Sequence, residues 1–163
     1  MNTSGFDIVV IGSGVIGHSI AFRLKQDAPQ LKIAVLGDPV NSLQASRAAA
    51  GMLSPFCECD RADRFFNFCR ESLNKFPEFL KELASISEAS VHFSFEGSLM
   101  PSSSYQETWE ERKAFFVSEG VPHEIWSAEK VRQKAPYLSE DCGEVMWVGE
   151  GQVNNRQMHD ALM

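Results

Sequence analysis

Residues 6–17, FDIVVIGSGVIG, decide how the rest of this chain is read. Ile8, Val9, Val10 and Ile11 form an unbroken apolar run of the kind that suits a parallel strand buried on both faces. The run passes straight into G-x-G-x-x-G at Gly12, Gly14 and Gly17. A backbone turning sharply from strand into helix needs that spacing. The first glycine makes the tight turn, the second leaves out a side chain where a pyrophosphate would approach, and the third lets helix pack closely on strand. Beyond them Val15, Ile16, Ile20, Phe22 and Leu24 recur at helical spacing, and LKIAVL at residues 31–36 supplies a returning strand. The pattern predicts a strand–helix–strand unit with a dinucleotide phosphate at the helix start. The alternative is a glycine-rich turn that binds nothing.

Composition narrows the partners. Fifteen Lys and Arg stand against 22 Asp and Glu, a formal charge of −7, and the basic residues are scattered singly. Nucleic-acid binding relies on clustered cations that neutralise phosphates, so no nucleic-acid partner is expected. Cys57, Cys59, Cys69 and Cys142 follow no signal-peptide-like opening and are expected as reduced thiols of a cytoplasmic protein. Cys57 and Cys59 form C-x-C without a second pair at ligand spacing, so no metal site is expected. The apolar stretches are strand-sized, short of the ~20 residues that cross a bilayer, and no membrane partner is expected.

Further along, residues 38–55 are small and polar and predict a functional loop with one short helical piece. Residues 60–86 predict a long helix whose apolar face carries Phe65, Phe66, Phe68, Cys69, Leu73, Phe76, Phe79, Leu80 and Leu83 as core, with Pro77 kinking or splitting it. Val91, Phe93 and Phe95 alternate with polar residues, and Gly97 and Ser98 turn the chain towards Leu99 and Met100, a hairpin pattern. Residues 104–119 return to helical spacing, 123–126 predict a short strand, 127–134 a helix opened by a Ser cap, and 144–148 another alternating strand. Asn154 and Gln157 form a capping pair before an apolar helical face that runs only to Met163, as expected of a piece of a longer design. The fold class expected is α/β, a Rossmann-type unit followed by the start of an antiparallel α+β domain. The expected division is residues 1–86, 87–153 and a partial helix at 154–163.

RAAAGMLSPFCECDRADRFFNF at residues 47–68, taken with the glycine fingerprint, resembles the FAD-dependent amino-acid oxidases of the D-amino-acid oxidase family, most closely the glycine oxidase branch of thiamine biosynthesis. The likeness continues through FEGSLMP, APYLSED and GQVNNRQMHDAL, over nearly the whole chain. It implies FAD as cofactor, with Gly12, Gly14, Val15, Ile16 and Gly17 on the pyrophosphate. Ala45, Ser46, Ala50, Gly51 and Met52 would run beside the pyrophosphate, ribityl chain and flavin. A run of Ala and Gly agrees, because backbone N–H groups can reach a flat ring only where no bulky side chain intervenes; a small-residue packing loop is the alternative. Ser54 and Cys57 would border the pocket above the flavin. The resemblance implies hydride transfer from the α-carbon of a small amino-acid substrate to the flavin, hydrolysis of the resulting imine, and reoxidation by oxygen to peroxide.

Two departures follow. The family places an acidic residue at the end of the second strand to hold the adenosine ribose, where this chain has Gly37; Asp38, 21 residues beyond Gly17, is the neighbour that could take over. Family members are also much longer, and the substrate-gripping Arg of the family has no counterpart here, so no catalytic residue is assigned. Standing alone, the chain would leave the first strand with an unpaired edge and an uncovered face. A related oxidase of another D- or N-methyl amino acid, or a catalytically silent piece that joins a complementary C-terminal chain or a homo-oligomer, are the competing readings. Of the remaining candidates, Arg47 either pairs with a phosphate or carboxylate or stands solvated. His18 is expected as an exposed first-turn residue, and His92, His123 and His159 are isolated from one another in sequence.

Overall fold

The computed structural model describes residues 5–38 and 45–163, so part of the loop expected over residues 38–55 lies outside the described residues. In chain order the elements are β1 (Ile8–Ile11), α1 (Val15–Asp27), β2 (Ile33–Leu36), α2 (Ala45–Ala48), β3 (Met52–Leu53), α3 (Pro55–Glu58), α4 (Arg64–Ile86), β4 (Phe93–Ser94), β5 (Ser98–Pro101), α5 (Trp109–Glu119), β6 (His123–Trp126), α6 (Ala128–Lys134), β7 (Val145–Val148), β8 (Gly151–Val153) and α7 (Asn155–Leu162). They form two compact units, one drawn from Met1–Gly51, Glu78–His92 and Val153–Met163, the other from Met52–Pro77 and Phe93–Gln152. This grouping differs from the linear division at residues 86 and 153. The chain passes between the units within α4, at Pro77, and the helix continues through that residue instead of splitting.

In the first unit β1 and β2 pair in parallel, Ile8 opposite Ile33 through Ile11 opposite Leu36, with α1 as the connection. The end of α1 is closed by Lys25, whose Nζ donates to the carbonyls of Pro29 and Leu31 at 2.5 and 2.9 Å, a cation placed where the helix dipole is negative. The C-terminal part of α4 meets α1 through the edge-on rings of Phe22 and Phe79 and the Arg23–Glu82 ion pair at 2.9 Å. The capping pair of α7 forms only in part. Asn154 accepts the Gln157 N–H at 3.1 Å, but the Gln157 side chain accepts the His92 N–H at 2.8 Å instead of returning to Asn154. The apolar run of β1, expected to be buried on both faces, is covered on one: Val9 and Ile11, which share the other face, are 52% and 83% exposed, and β2 is its sole strand neighbour among the described residues.

The second unit holds the large core. β7 lies between β5 and β6 in an antiparallel sheet. Val145, Met146 and Val148 are all fully buried, so the alternating burial expected at 144–148 gives way to that of a central strand. Phe56, Phe66, Met100, Trp109, Phe116 and Met146 pack with it into one cluster. Burying each such side chain contributes about 1.5–3 kcal/mol. Two expectations fail here. Phe65 and Phe68 are 64% and 70% exposed, since residues one and two positions from the buried Phe66 point to other sides of α4. The hairpin across Gly97 does not form either: β4 pairs with β8 in one sheet, and β5 pairs with β7 in another. Partners distant in sequence override the local alternation.

Candidate functional site

The first unit builds its site where β1 ends. Gly12 donates its N–H to the Leu36 carbonyl at 2.8 Å, which extends the β-ladder by one residue, and its φ of 112° turns the chain out of the sheet. That conformation is cheap only for glycine. A side chain at Gly17 would collide with the Gly12 carbonyl oxygen, so this third glycine sets how closely helix and turn approach. α1 then opens at Gly14 with no side-chain cap and no acidic residue in its first turn. Helix-start N–H groups carry partial positive charge, and Ser46 Oγ accepts one of them, the Val15 N–H, at 2.9 Å. A Cβ at Gly14 would lie 3.0 Å from that oxygen. The glycine turn and the Ala-rich lane, separated by some thirty residues of chain, therefore meet at one hydroxyl. A helix start with no acidic residue in its first turn, beside a glycine cradle, fits a pyrophosphate.

α7 holds the lane against the turn. Asn155 Nδ2 donates to the Ser46 carbonyl at 2.7 Å, and Arg156 Nε donates to the Arg47 carbonyl at 3.3 Å. Arg47 reaches back, its Nη1 pairing with Asp160 at 2.5 Å and lying 3.3 Å from His159 Nδ1. Arg47 thus pairs with the carboxylate of Asp160. His159 is fully buried and its Nε2 lies 2.8 Å from the Ser13 carbonyl oxygen. His18 stands edge-on to it, ring centroids 5.4 Å apart. The expectation of an exposed His18 is corrected: the residue is half-buried, its Nε2 has no hydrogen-bond partner, and burial, then the neighbouring His159, hold its pKa below the ordinary histidine value.

The remaining expected residues fall as follows. Ile16 is 74% exposed at the helix start, and Ala45 and Ala50 are exposed along the lane. Gly51, φ 78°, lies against the Val153 carbonyl, where no side chain fits, and accepts the Val153 N–H at 2.9 Å. A Cβ at Gly37 would come within 2.8 Å of the Ser13 backbone nitrogen and 2.5 Å of its hydroxyl, so Ser13 occupies the space a side chain there would need. Asp38 follows, exposed, at the end of β2. In the second unit Met52 is 63% exposed, and Ser54 lines a cavity of about 470 Å³ walled by Leu53, Phe65, Leu73 and Phe76. Cys57 is not part of that wall. Burial, then the Glu150 carboxylate, push its pKa up and keep it a thiol.

Sequence reasoning missed two groups. Glu150, fully buried in the second unit, accepts the Phe56 and Cys57 N–H groups at 2.6 and 2.8 Å. His159 lies 146 residues from its Ser13 partner. Neither carries a local signature, because each acts on a backbone group that any residue supplies. Asn154 and Gln157 marked the start of α7 but not what the helix holds.

Fold and site define an α/β dinucleotide-binding unit joined to an antiparallel α+β unit. The chain belongs to the FAD dependent oxidoreductase family, DAO, whose model matches residues 7–163. FAD is the cofactor of that family. Glycine oxidase of Bacillus licheniformis is 40% identical over 82 residues, 50% of this chain and 22% of that protein. The bifunctional protein ThiO/ThiG of Synechocystis sp. is 29% identical over 160 residues, 96% of this chain and 22% of that protein. The crystal structure of glycine oxidase from Geobacillus kaustophilus matches with a TM-score of 0.84 at 23% identity, covering 96% of this chain and 43% of that one. This chain thus spans less than half the length of these relatives. No helix among the described residues is long and apolar enough to cross a membrane.

Proposed function

We propose that this chain is the cofactor-holding portion of an FAD-dependent oxidase of the glycine oxidase type, acting on a small amino acid. The observation that carries the reading is the meeting of Gly14, Val15 and Ser46 at the start of α1, with the Val15 N–H on Ser46 Oγ at 2.9 Å. Gly12, Gly14, Val15, Ile16 and Gly17 would line the pyrophosphate. Ser46, its oxygen already accepting from Val15, keeps its O–H to donate to a phosphate oxygen. Ala45, Ala50, Gly51 and Met52 would pass the ribityl chain and ring, where small side chains leave the backbone accessible. Gly37 leaves room for Ser13, and Asp38 would take the ribose hydroxyls. Arg47, paired with Asp160, holds the lane in place. Bound FAD would supply the hydride acceptor and its reoxidation by oxygen.

Titration of the purified chain with FAD tests the reading, with a yellow, stoichiometric complex expected and no uptake in excess FAD overturning it. Asp38→Ala is expected to weaken FAD about ten- to hundred-fold, as a lost hydrogen bond to a charged group does. Unchanged affinity removes Asp38 from the ribose. Peroxide release with glycine, sarcosine or D-alanine, measured with a complementary chain present, separates glycine oxidation from that of other D- or N-methyl amino acids. The exposed Val9 and Ile11 of β1 favour such a complementary chain, or a second copy, as partner. Chains that stay apart at micromolar concentration in sedimentation would refute that pairing.

A further inference from the structure

We propose that His159 is a positioning residue of the dinucleotide site, aiming the Gly14 N–H by holding the carbonyl on the other side of the same peptide group. The inference rests on the cofactor reading above. His159 is fully buried and is presented by α7, far in sequence from the glycine turn it touches. Its two ring nitrogens meet partners of opposite kind. Nε2 lies 2.8 Å from the Ser13 carbonyl oxygen, which can only accept, so Nε2 carries the proton. Nδ1 lies 3.3 Å from Arg47 Nη1, which can only donate, so Nδ1 offers its lone pair. One tautomer satisfies both contacts. Asp160 pairs with the same Arg47 Nη1 that faces the ring, and His18 stands edge-on to it from α1.

The consequence lies in peptide geometry. The chain has no cis peptide among its described residues, and in a trans peptide the C=O and the following N–H point in opposite directions. Drawing the Ser13 carbonyl down onto His159 therefore turns the Gly14 N–H away from α7 and out of the helix start. Gly14 has no side chain to resist a flip of this peptide, so an outside restraint is needed to keep its donor aimed. The same imidazole, through Arg47, ties that orientation to α2 and to Ser46. The ring thus joins the Val15–Ser46 and Asn155–Ser46 bonds in tying turn to lane.

Two variants separate aiming from bulk. His159→Leu keeps an apolar side chain of similar reach but offers Ser13 no donor; His159→Gln restores an N–H near the position of Nε2. With the whole chain, well below each variant's unfolding midpoint, His159→Leu is expected to raise the FAD dissociation constant at least tenfold. His159→Gln is expected to return it to within about threefold of wild type. Nitrogen-15 NMR of the ring in the cofactor-free protein is expected to show the Nε2–H tautomer. Leu and Gln variants that bind FAD equally, or a ring protonated at Nδ1 alone, overturn the proposal. Because the ring measurement needs no cofactor, it judges the clamp even if the chain takes up no FAD, an outcome that would instead remove the cofactor reading.

Discussion

The two units reach order by different means. The second is held by a dense aromatic and aliphatic cluster around Phe66, Phe116 and Met146, each fully buried. The first, which carries the cofactor fingerprint, buries little beyond Leu83, Val153, Met158 and Ala161, and leaves Val9, Ile11 and Leu36 more than half exposed. Its precision comes from directional contacts: Val15 to Ser46, Asn155 to Ser46, Arg47 to Asp160, His159 to Ser13. Apolar burial supplies bulk stability without fixing an angle, whereas hydrogen bonds fix angles and contribute about 1 kcal/mol each. A phosphate cradle needs the angles.

The contrast can be broken first at the cores. Phe116→Ala should cost about 3–5 kcal/mol in urea unfolding, whereas Ile11→Ala, on the uncovered face of β1, should stay within about 0.5 kcal/mol. Equal losses would show that β1 belongs to a buried core after all. Next comes Gly17→Ala, where the added methyl meets the Gly12 carbonyl. It should cost about 1–3 kcal/mol, with amide exchange accelerating in β1 and α1 and not in β5, β6 or β7. Exchange rising evenly across both units would mean that they unfold as one.

Smaller effects sharpen the comparison. Ser46→Ala leaves the Val15 N–H without its acceptor and should lower stability by about 1 kcal/mol, read from the thermal midpoint of the first unit. No shift would mean that solvent replaces the hydroxyl at no cost. In the second unit Glu144 accepts Trp109 Nε1–H at 2.7 Å, and this bond, then Lys113, hold its pKa below the ordinary carboxylate value. A pKa lower in the folded than in the unfolded chain stabilises fully above the unfolded value, and the gain fades as pH falls through the folded one. Glu144→Gln should therefore lower stability slightly at neutral pH, converge with wild type as pH falls below about 4.5, and so flatten the acid limb of the stability profile. An unaltered acid limb would show that the pair contributes nothing measurable.

How much was legible depended on whether partners are neighbours in the chain. The glycine turn, α1, β2, the long α4, the Ser127 cap of α6 and the start of α7 all lie within a few residues of the signals that announce them. The hairpin across Gly97 failed because β4 and β5 each found a partner after residue 144. Phe65 and Phe68 were counted as core because composition marks them apolar, while helical geometry lets only Phe66 of that trio face inward. Gly37 stood out as a missing acidic residue; its reason, the space taken by Ser13, needs coordinates.

Local spacing was enough to establish the strand-to-helix turn, its suitability for phosphate, and the kinship carried by the AAAGM stretch, because turn geometry and helix periodicity are properties of a few consecutive residues. Only tertiary structure could decide that α7 locks the turn to the lane, that His159 sits beneath Ser13, that Arg47 pairs with Asp160, and that β1 keeps an open face. Those outcomes depend on which distant groups share a desolvated space. There a donor must find an acceptor or incur the cost of burial alone, and no pattern along the chain records which partner it meets.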